Sequence, residues 1–527
     1  MDSSEEIRKT GFRSFSKMRT MMETTETVDI HQGLPDGAPG ASIELSRELM
    51  LSRARARDGA YNGRFLTGVL STGIYCLPSC PARRPNEENV RFFFDESSAR
   101  AARLRPCRRC RPDLFYRQQD PDLDLATGLA QRVRRDPGAY PEVKSLVATS
   151  GVGLTKLNAL FRRHYHVTPA AFLQRVRVEE ICRALLGGRR RILDLALDAG
   201  WDSSSAFHES FRRATAMTPG DYRRLGRGAE FVLDLPAGYR AAAVLRYLAR
   251  DPESRCERVS PSGLTKAVRL AGQPALLAID LGEGAARCRV ERADGTAAAP
   301  PEMAAAHGIA LRLLGLTLDP GPFERQVRRT RGARRLIAGR EGLRIPLSAE
   351  PFEGLAWAII GQQINLAFAT TLRRRFVELC GEPAGGGSLG SLAHPTPEAV
   401  ARLDVADLTA RQFSGRKAEY LIGAAQAIAT GELPLASFPE RAATEVERRL
   451  LAVRGLGPWT AHYVMLRACG FADCLPVGDS GLAAGLTRFF ALDHRPGPEE
   501  TRSLMQPFTP YRSFATAHLW ASLGENP

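Results

Sequence analysis

Apolar residues recur along most of the chain at intervals of three and four, the spacing that gathers them on one face of a helix. Between Pro121 and Arg224 this pattern is cut into short segments by capping residues. SLVATSGVGLTKLNALFRRHYHVTPAAFLQRVRVEEICRALL predicts helix, turn, helix and a long connecting helix, and ILDLALDAGWDSSSAFHESFRRATAMTPGDYRR repeats the arrangement. Gly151 and Ala199–Gly200 supply the turns, while Phe161, Phe207 and Phe211 fall on the core side with arginines opposite. The period then changes. FVLDLPAGYR, LTKAVRL and ALLAIDL read as strands around a helical stretch, AAVLRYLAR, which predicts a small α+β unit over 229–305. From 306 to 527 the chain turns helical again, interrupted by the loop GEPAGGGSLGS. Residues 1–45 are polar, with a Gly/Pro cluster, and predict a disordered lead-in.

Composition narrows the picture. With 527 residues the chain is long enough for several domains, and 44% apolar with 25% charged residues is the balance of globular protein. No apolar run reaches about 20 residues, and residues 1–20 lack the apolar core of a signal peptide, so neither a membrane partner nor export is expected. A cytoplasmic setting follows, where clustered cysteines more often bind metal than form disulfides. Lys and Arg exceed Asp and Glu by 73 to 58, a net +15 that favours a polyanionic partner, nucleic acid first.

Four of the ten cysteines lie between 46 and 118 as Cys76-x3-Cys80 and Cys107-x2-Cys110, two close pairs able to share one tetrahedral Zn²⁺. Spacing alone is also satisfied by a purely structural zinc ribbon. Two features point further: the cluster is embedded in arginines suited to phosphate, and a zinc-bound cysteine is a thiolate that can act as a nucleophile where solvent reaches it. The surrounding segment, DGAYNGRFLTGVLSTGIYCLPSCPARRPNEENVRFF to RPCRRCRPDL, resembles the N-terminal zinc domain of the Ada family. That resemblance implies irreversible transfer of a methyl group from a DNA methylphosphotriester to Cys76, with Cys80, Cys107 and Cys110 as the other ligands. It also implies DNA contacts at Thr72, Arg83 and Arg109.

AGW-x4-AFHESFRR-x3-MTPGDYRR resembles the second helix-turn-helix of AraC-type activators, which implies a tandem DNA-binding module over 121–225. Ser203, Ser204, Ser205 and His208 would face DNA, with Arg212 and Arg213 near phosphates. Promoter DNA and RNA polymerase are the partners such an activator implies. The Pro-Cys-His-Arg tetrapeptide of a second Ada methyltransferase is missing, so O6-methylguanine repair is not expected.

LLAVRGLGPWTAHYVML (450–466) reads as a helix-hairpin-helix, with Gly455 and Gly457 letting backbone N–H groups approach a phosphate. LPVGDSGL follows about 20 residues later, and PFEGLAWAIIGQQINLAFA precedes it. Together these are similar to the AlkA branch of the helix-hairpin-helix DNA glycosylases, with 229–305 matching its small N-terminal domain. The resemblance implies Asp479 as the catalytic carboxylate, although its position before SGLAAGL also suits a plain helix cap. Trp459 and Tyr463, four apart on one helical face, match the platform for a flipped alkylated base, while core packing is the ordinary reading of such a pair. Gln362 matches a pocket position. For Trp357 stacking and core packing stand equal.

Backbone-nicking relatives place a lysine where this chain has Trp459, so a monofunctional glycosylase leaving abasic sites is expected. No four-cysteine run follows Asp479, and neither an iron–sulfur cluster nor any glycosylase cofactor is expected. The resulting expectation is a multidomain, mainly α protein with α+β parts. It would be a bacterial, nucleoid-associated monomer carrying one zinc ion on four cysteines, acting on double-stranded alkylated and promoter DNA. The alternative is a zinc-bearing regulator whose C-terminal half binds DNA without catalysis, against which Asp479, Trp459 and Tyr463 argue.

Overall fold

The computed structural model describes residues 45–117, 119–385 and 390–524. The expected lead-in, apart from residue 45, lies outside the described residues, as do residues 386–389 of the glycine-rich loop. The chain divides into two units at Gln119–Asp120.

The first unit opens with α1 (Arg47–Ala56), whose N-cap Ser46 accepts from the Leu49 N–H. A four-stranded sheet follows: β1 (Leu66–Val69), β2 (Ile74–Cys76), β3 (Val90–Phe93) and β4 (Arg105–Pro106), in the order β3-β1-β2-β4. Its small core gathers Leu66, Tyr75, Leu77, Phe93, Ala99 and Leu104 around α2 (Glu96–Ala101). α3 (Pro112–Tyr116) closes the unit.

The second unit begins with the expected helical succession: α4 (Pro121–Arg135), α5 (Val143–Ser150), α6 (Leu154–Tyr165), α7 (Pro169–Gly187), α8 (Ile192–Asp198), α9 (Ser204–Thr215) and α10 (Pro219–Arg223). Thr168 and Thr218 each cap a helix that starts with proline, a pairing that fixes the turns after α6 and α9. Phe161, Phe207 and Phe211 are fully buried, as their period requires.

A five-stranded antiparallel sheet comes next, in the order β5-β9-β8-β7-β6: β5 (Glu230–Asp234), β6 (Glu257–Ser260), β7 (Gly263–Leu270), β8 (Gln273–Leu281) and β9 (Ala285–Arg292), with α11 (Ala241–Leu248) between β5 and β6. The segment FVLDLPAGYR is strand only as far as Asp234, because Pro236 cannot donate to the ladder and Gly238 turns the chain at φ +71°. β6 and β9 have no counterpart in the expected strands. In β9, buried Ala286, Cys288 and Val290 alternate with exposed arginines that disguise the segment as a charged loop. The second helix-turn-helix is not packed separately from this sheet. Ile181, Phe207 and Phe211 share one continuous core with Phe231, Leu277, Ile279 and Met303, so 121–225 and 229–305 meet across a hydrophobic seam rather than a linker.

The helical remainder comprises α12 (Pro300–Leu313), α13 (Gly321–Arg329), α14 (Pro351–Ile360), α15 (Leu366–Cys380), α16 (Pro397–Val400), α17 (Val405–Thr409), α18 (Gly415–Ala429), α19 (Ala443–Leu451), α20 (Pro458–Val464), a π-helical turn Met465–Cys469, α21 (Ser480–Phe490), α22 (Pro498–Met505) and α23 (Arg512–Leu523). The glycine-rich loop is clipped at its base, where Glu382–Pro383 pairs with Leu392–Ala393. A buried ion cluster joins sheet to helices. Lys266 of β7 donates to Glu257 of β6 at 2.6 Å and to Glu353 of α14 at 2.8 Å, and Arg373 of α15 bonds both carboxylates at 2.8–3.1 Å. Among the described residues no helix is long and apolar enough to cross a membrane.

Candidate functional site

Parallel pairing of β2 with β4 (Ile74 opposite Arg105, Tyr75 opposite Pro106) brings the end of one strand beside the end of the other, so Cys76 meets Cys107. Short turns return Cys80 and Cys110 to the same point. All four Sγ atoms lie within 4.8 Å of one another, and Cys80 and Cys107 are 3.9 Å apart. Zn–S bonds of about 2.3 Å in a tetrahedron require sulfurs about 3.8 Å apart, so the donor set fits Zn²⁺. Exposure does not single out one cysteine: Cys76 and Cys107 are buried, while Cys80 and Cys110 are partly open. Backbone N–H groups of Leu77 and Arg109 are donated to Cys110 and Cys107 at 3.3 and 3.4 Å. Arg83 and Arg109 are exposed, and Thr72 is exposed with its hydroxyl donated to Val69 O.

On α9, Ser204, Ser205, His208, Arg212 and Arg213 face outward, opposite the buried Phe207 and Phe211. Ser203 is the helix cap, its hydroxyl accepting from Ala206 N–H. Arg212 is already paired, donating to Asp234 of β5 at 2.7 Å.

The third site forms around the helix-hairpin-helix. Gly455 sits at φ +88°, and a Cβ there would run into the Tyr420 ring, so both backbone conformation and space demand glycine. Gly457 caps α20, and a Cβ on it would meet nothing, which leaves the hairpin backbone open to approach. α20 then presents Trp459 and Tyr463 on one face, ring centroids 5.3 Å apart and 31° between planes. Asp479 caps α21, with Oδ1 accepting from Leu482 N–H at 2.7 Å. The carboxylate is also held from both sides by indoles: Trp459 Nε1 donates to Oδ2 at 3.0 Å, and Trp520 Nε1 to Oδ1 at 2.8 Å. One carboxylate thus caps the helix and receives both indoles. The neighbouring Asp473 is bound to Arg512 at 2.7 and 2.8 Å and offers no free carboxylate.

The other expected pocket residues separate. Trp357 donates to the Tyr463 hydroxyl at 3.0 Å, and both border a cavity of about 110 Å³ beside Arg250, Glu353 and Arg373. Asp479, Trp459 and Gln362 do not line that cavity. Gln362 commits its amide nitrogen to Gly455 O at 2.9 Å and Thr460 Oγ1 at 3.0 Å, which braces the hairpin. Sequence reasoning missed Trp520. Its one signal was rarity: of four tryptophans in 527 residues, three converge on Tyr463 and Asp479.

Comparison with known proteins places family domains on these sites. Residues 50–113 match the metal-binding domain of Ada, 146–225 a helix-turn-helix domain, and 356–510 the HhH-GPD superfamily of base excision DNA repair proteins. The chain thus carries an Ada-type metal-binding domain, a helix-turn-helix domain and an HhH-GPD domain, in that order. Its halves also match separate proteins. A probable bifunctional transcriptional activator/DNA repair enzyme AlkA of Mycobacterium tuberculosis is 27% identical over 493 residues, 90% of this chain and 95% of that protein. Ada of Escherichia coli, a bifunctional transcriptional activator/DNA repair enzyme, is 33% identical over 172 residues, 32% of this chain and 47% of its own length. A DNA-3-methyladenine glycosylase of Bacillus subtilis is 35% identical over 182 residues, 34% of this chain and 60% of its length. In fold, a 3-methyladenine DNA glycosylase from Archaeoglobus fulgidus superposes with a TM-score of 0.50 at 22% identity, covering 55% of this chain and 97% of that one. The expected zinc, helix-turn-helix and glycosylase parts therefore stand in the expected order, and the fusion combines DNA alkylation repair with transcription activation.

Proposed function

We propose that the chain senses methylated DNA once, through Cys76, and removes alkylated bases repeatedly, through Asp479. The observation that carries the catalytic half is the Asp479 carboxylate held between two indole N–H groups and a helix N-terminus, beside the Trp459–Tyr463 platform. A cationic alkylated base stacks favourably on such rings. When its bond to C1′ breaks, the base takes the electron pair and leaves neutral. The oxocarbenium-like sugar faces the Asp479 carboxylate, which stabilises its charge, orients the water that adds at C1′ and takes the proton that this water gives up. No cofactor enters these steps. With Trp459 in place of a lysine there is no amine for a Schiff base, so the product is an abasic site on an intact strand.

In the zinc unit, bound Zn²⁺ would hold the four sulfurs as thiolates. Cys107 and Cys110 accept backbone N–H bonds that withdraw charge, and the match to the metal-binding domain of Ada supports Cys76 as the methyl acceptor. Its sulfur attacks the methyl carbon of a methylphosphotriester, the C–O bond breaks, and the phosphodiester anion departs. With Zn²⁺ bound, methylation of one sulfur would take the four-sulfur site from formal charge −2 to −1. Weaker repulsion of phosphate raises DNA affinity and switches on the activator. Incubation with methylated DNA should yield both free 3-methyladenine and label on Cys76. Asp479→Asn should abolish base release alone, and Cys76→Ala label uptake alone. Base release surviving Asp479→Asn would reject the assignment of that carboxylate.

A further inference from the structure

The segment Phe471–Leu475, which leads into the loop carrying Asp479, is held from three sides. From α20, His462 Nδ1 accepts from Leu475 N–H at 3.3 Å. From α23, Ser513 Oγ accepts from Cys474 N–H at 2.9 Å and donates to Phe471 O at 2.7 Å, while Arg512 grips the Asp473 carboxylate. These two helices carry Trp459, Tyr463 and Trp520, so the segment ties together every part of the Asp479 cluster. The third hold comes from the helix-turn-helix module. His166, at the C-cap of α6, accepts from Asp473 N–H through Nδ1 at 3.2 Å, and its ring stands edge-on to Phe471 at 5.4 Å. Desolvation pushes its pKa down to about 4, which keeps the ring neutral and able to accept. The module is fixed in place elsewhere, by His164 Nδ1 with Thr444 Oγ1 at 2.8 Å, by Arg134 donating to Glu440 O, and by Ala442 buried in its core.

We propose that the helix-turn-helix module is a working part of the repair site, with His166 as the positioning residue for the Asp479 loop. This rests on Asp479 as the residue that promotes base release. Removing the acceptor leaves the Asp473 N–H unsatisfied at a packed interface, and the segment must shift to find another partner. Displacement of a catalytic carboxylate by a fraction of an ångström costs rate, while the hairpin that holds the DNA backbone is unaffected.

The test uses the full-length protein and a methylated duplex. It compares single-turnover release of 3-methyladenine, affinity for an abasic duplex and thermal unfolding in wild type, His166→Ala, His166→Asn and Thr444→Val. His166→Ala should slow release about tenfold with affinity changed by less than about twofold. His166→Asn should restore most of the rate, because asparagine places its Oδ1 where histidine has Nδ1 and tolerates the φ of +56° at this position. Thr444→Val, which removes a docking bond away from the segment, should leave the rate unchanged. If His166→Ala does not fold, His166→Gln replaces it with the same expectation. A wild type that releases no base overturns the Asp479 assignment and this proposal with it. An active wild type matched by His166→Ala overturns the positioning role alone, as does parallel loss in His166→Ala and Thr444→Val in step with their melting temperatures.

Discussion

Lys266→Met tests whether the buried ion cluster holds sheet and helices together. In the native protein Lys266 and Arg373 balance Glu257 and Glu353, all four side chains being at most 12% exposed. Burial pushes the Glu353 carboxyl up, but Lys266 and Arg373 overcome it and hold its pKa at about 2. Methionine keeps much of the lysine stem's volume and removes the charge, which leaves two carboxylates to share one guanidinium. Removing one partner of a buried pair costs about 3–5 kcal/mol. Unfolding entropy of about 2.1 cal/mol/K per residue over a unit of about 400 residues converts a 4 kcal/mol loss into a fall in Tm of about 5 °C. The pH dependence gives a sharper signature. The native Glu353 pKa lies below its unfolded value of about 4.3, so its stabilisation is present above that pH and fades as pH falls towards 2. In the variant one carboxylate gains by taking a proton, so the deficit in Tm should narrow between pH 7 and pH 5. Lys266→Met/Glu353→Gln should recover most of the loss at pH 7. Differential scanning calorimetry at both pH values checks all three. A Tm within 1 °C of wild type, or a deficit independent of pH, would refute the reasoning.

Three further outcomes follow from other parts of the fold. Gly455→Ala forces a left-handed backbone on alanine and a collision with Tyr420, costing about 1–3 kcal/mol locally, and should weaken binding to an abasic duplex without touching methyl uptake by Cys76. His307 lies between the Tyr222 and Phe231 rings, where desolvation lowers its pKa to about 4 despite its bond to Thr215 O. The folded value lies below the unfolded about 6.5, so stability should be lost as pH falls from 6.5 to 4, by up to about 3 kcal/mol, and His307→Gln should flatten this acid limb of a urea-denaturation series. Because the first unit has only a small apolar core, a zinc chelator should abolish its melting transition and leave that of residues 120–527 in place, read as loss of one of two calorimetric peaks.

The sequence by itself determined everything whose cause is local. Cysteine spacing, the two helix-turn-helix turns, the hairpin glycines and Asp479 before a helix are each written within a few tens of residues, because caps, turns and thiol pairs need only near neighbours. The helical periods placed Phe161, Phe207 and Phe211 in the core for the same reason. β9 escaped because its exposed arginines outweigh three buried positions, and its pairing with β5 joins segments far apart in the sequence. Trp520 escaped because nothing near it marks it as a partner of Asp479; the link exists only after α23 packs beside α21. Tertiary structure alone decided that Arg212 is paired to Asp234, that Gln362 braces the hairpin, and that His166 reaches from the DNA-binding module to the glycosylase backbone. The physical reason is common to all three. Which partner lies within about 3 Å of a polar group is set by how distant elements dock, which no local pattern encodes.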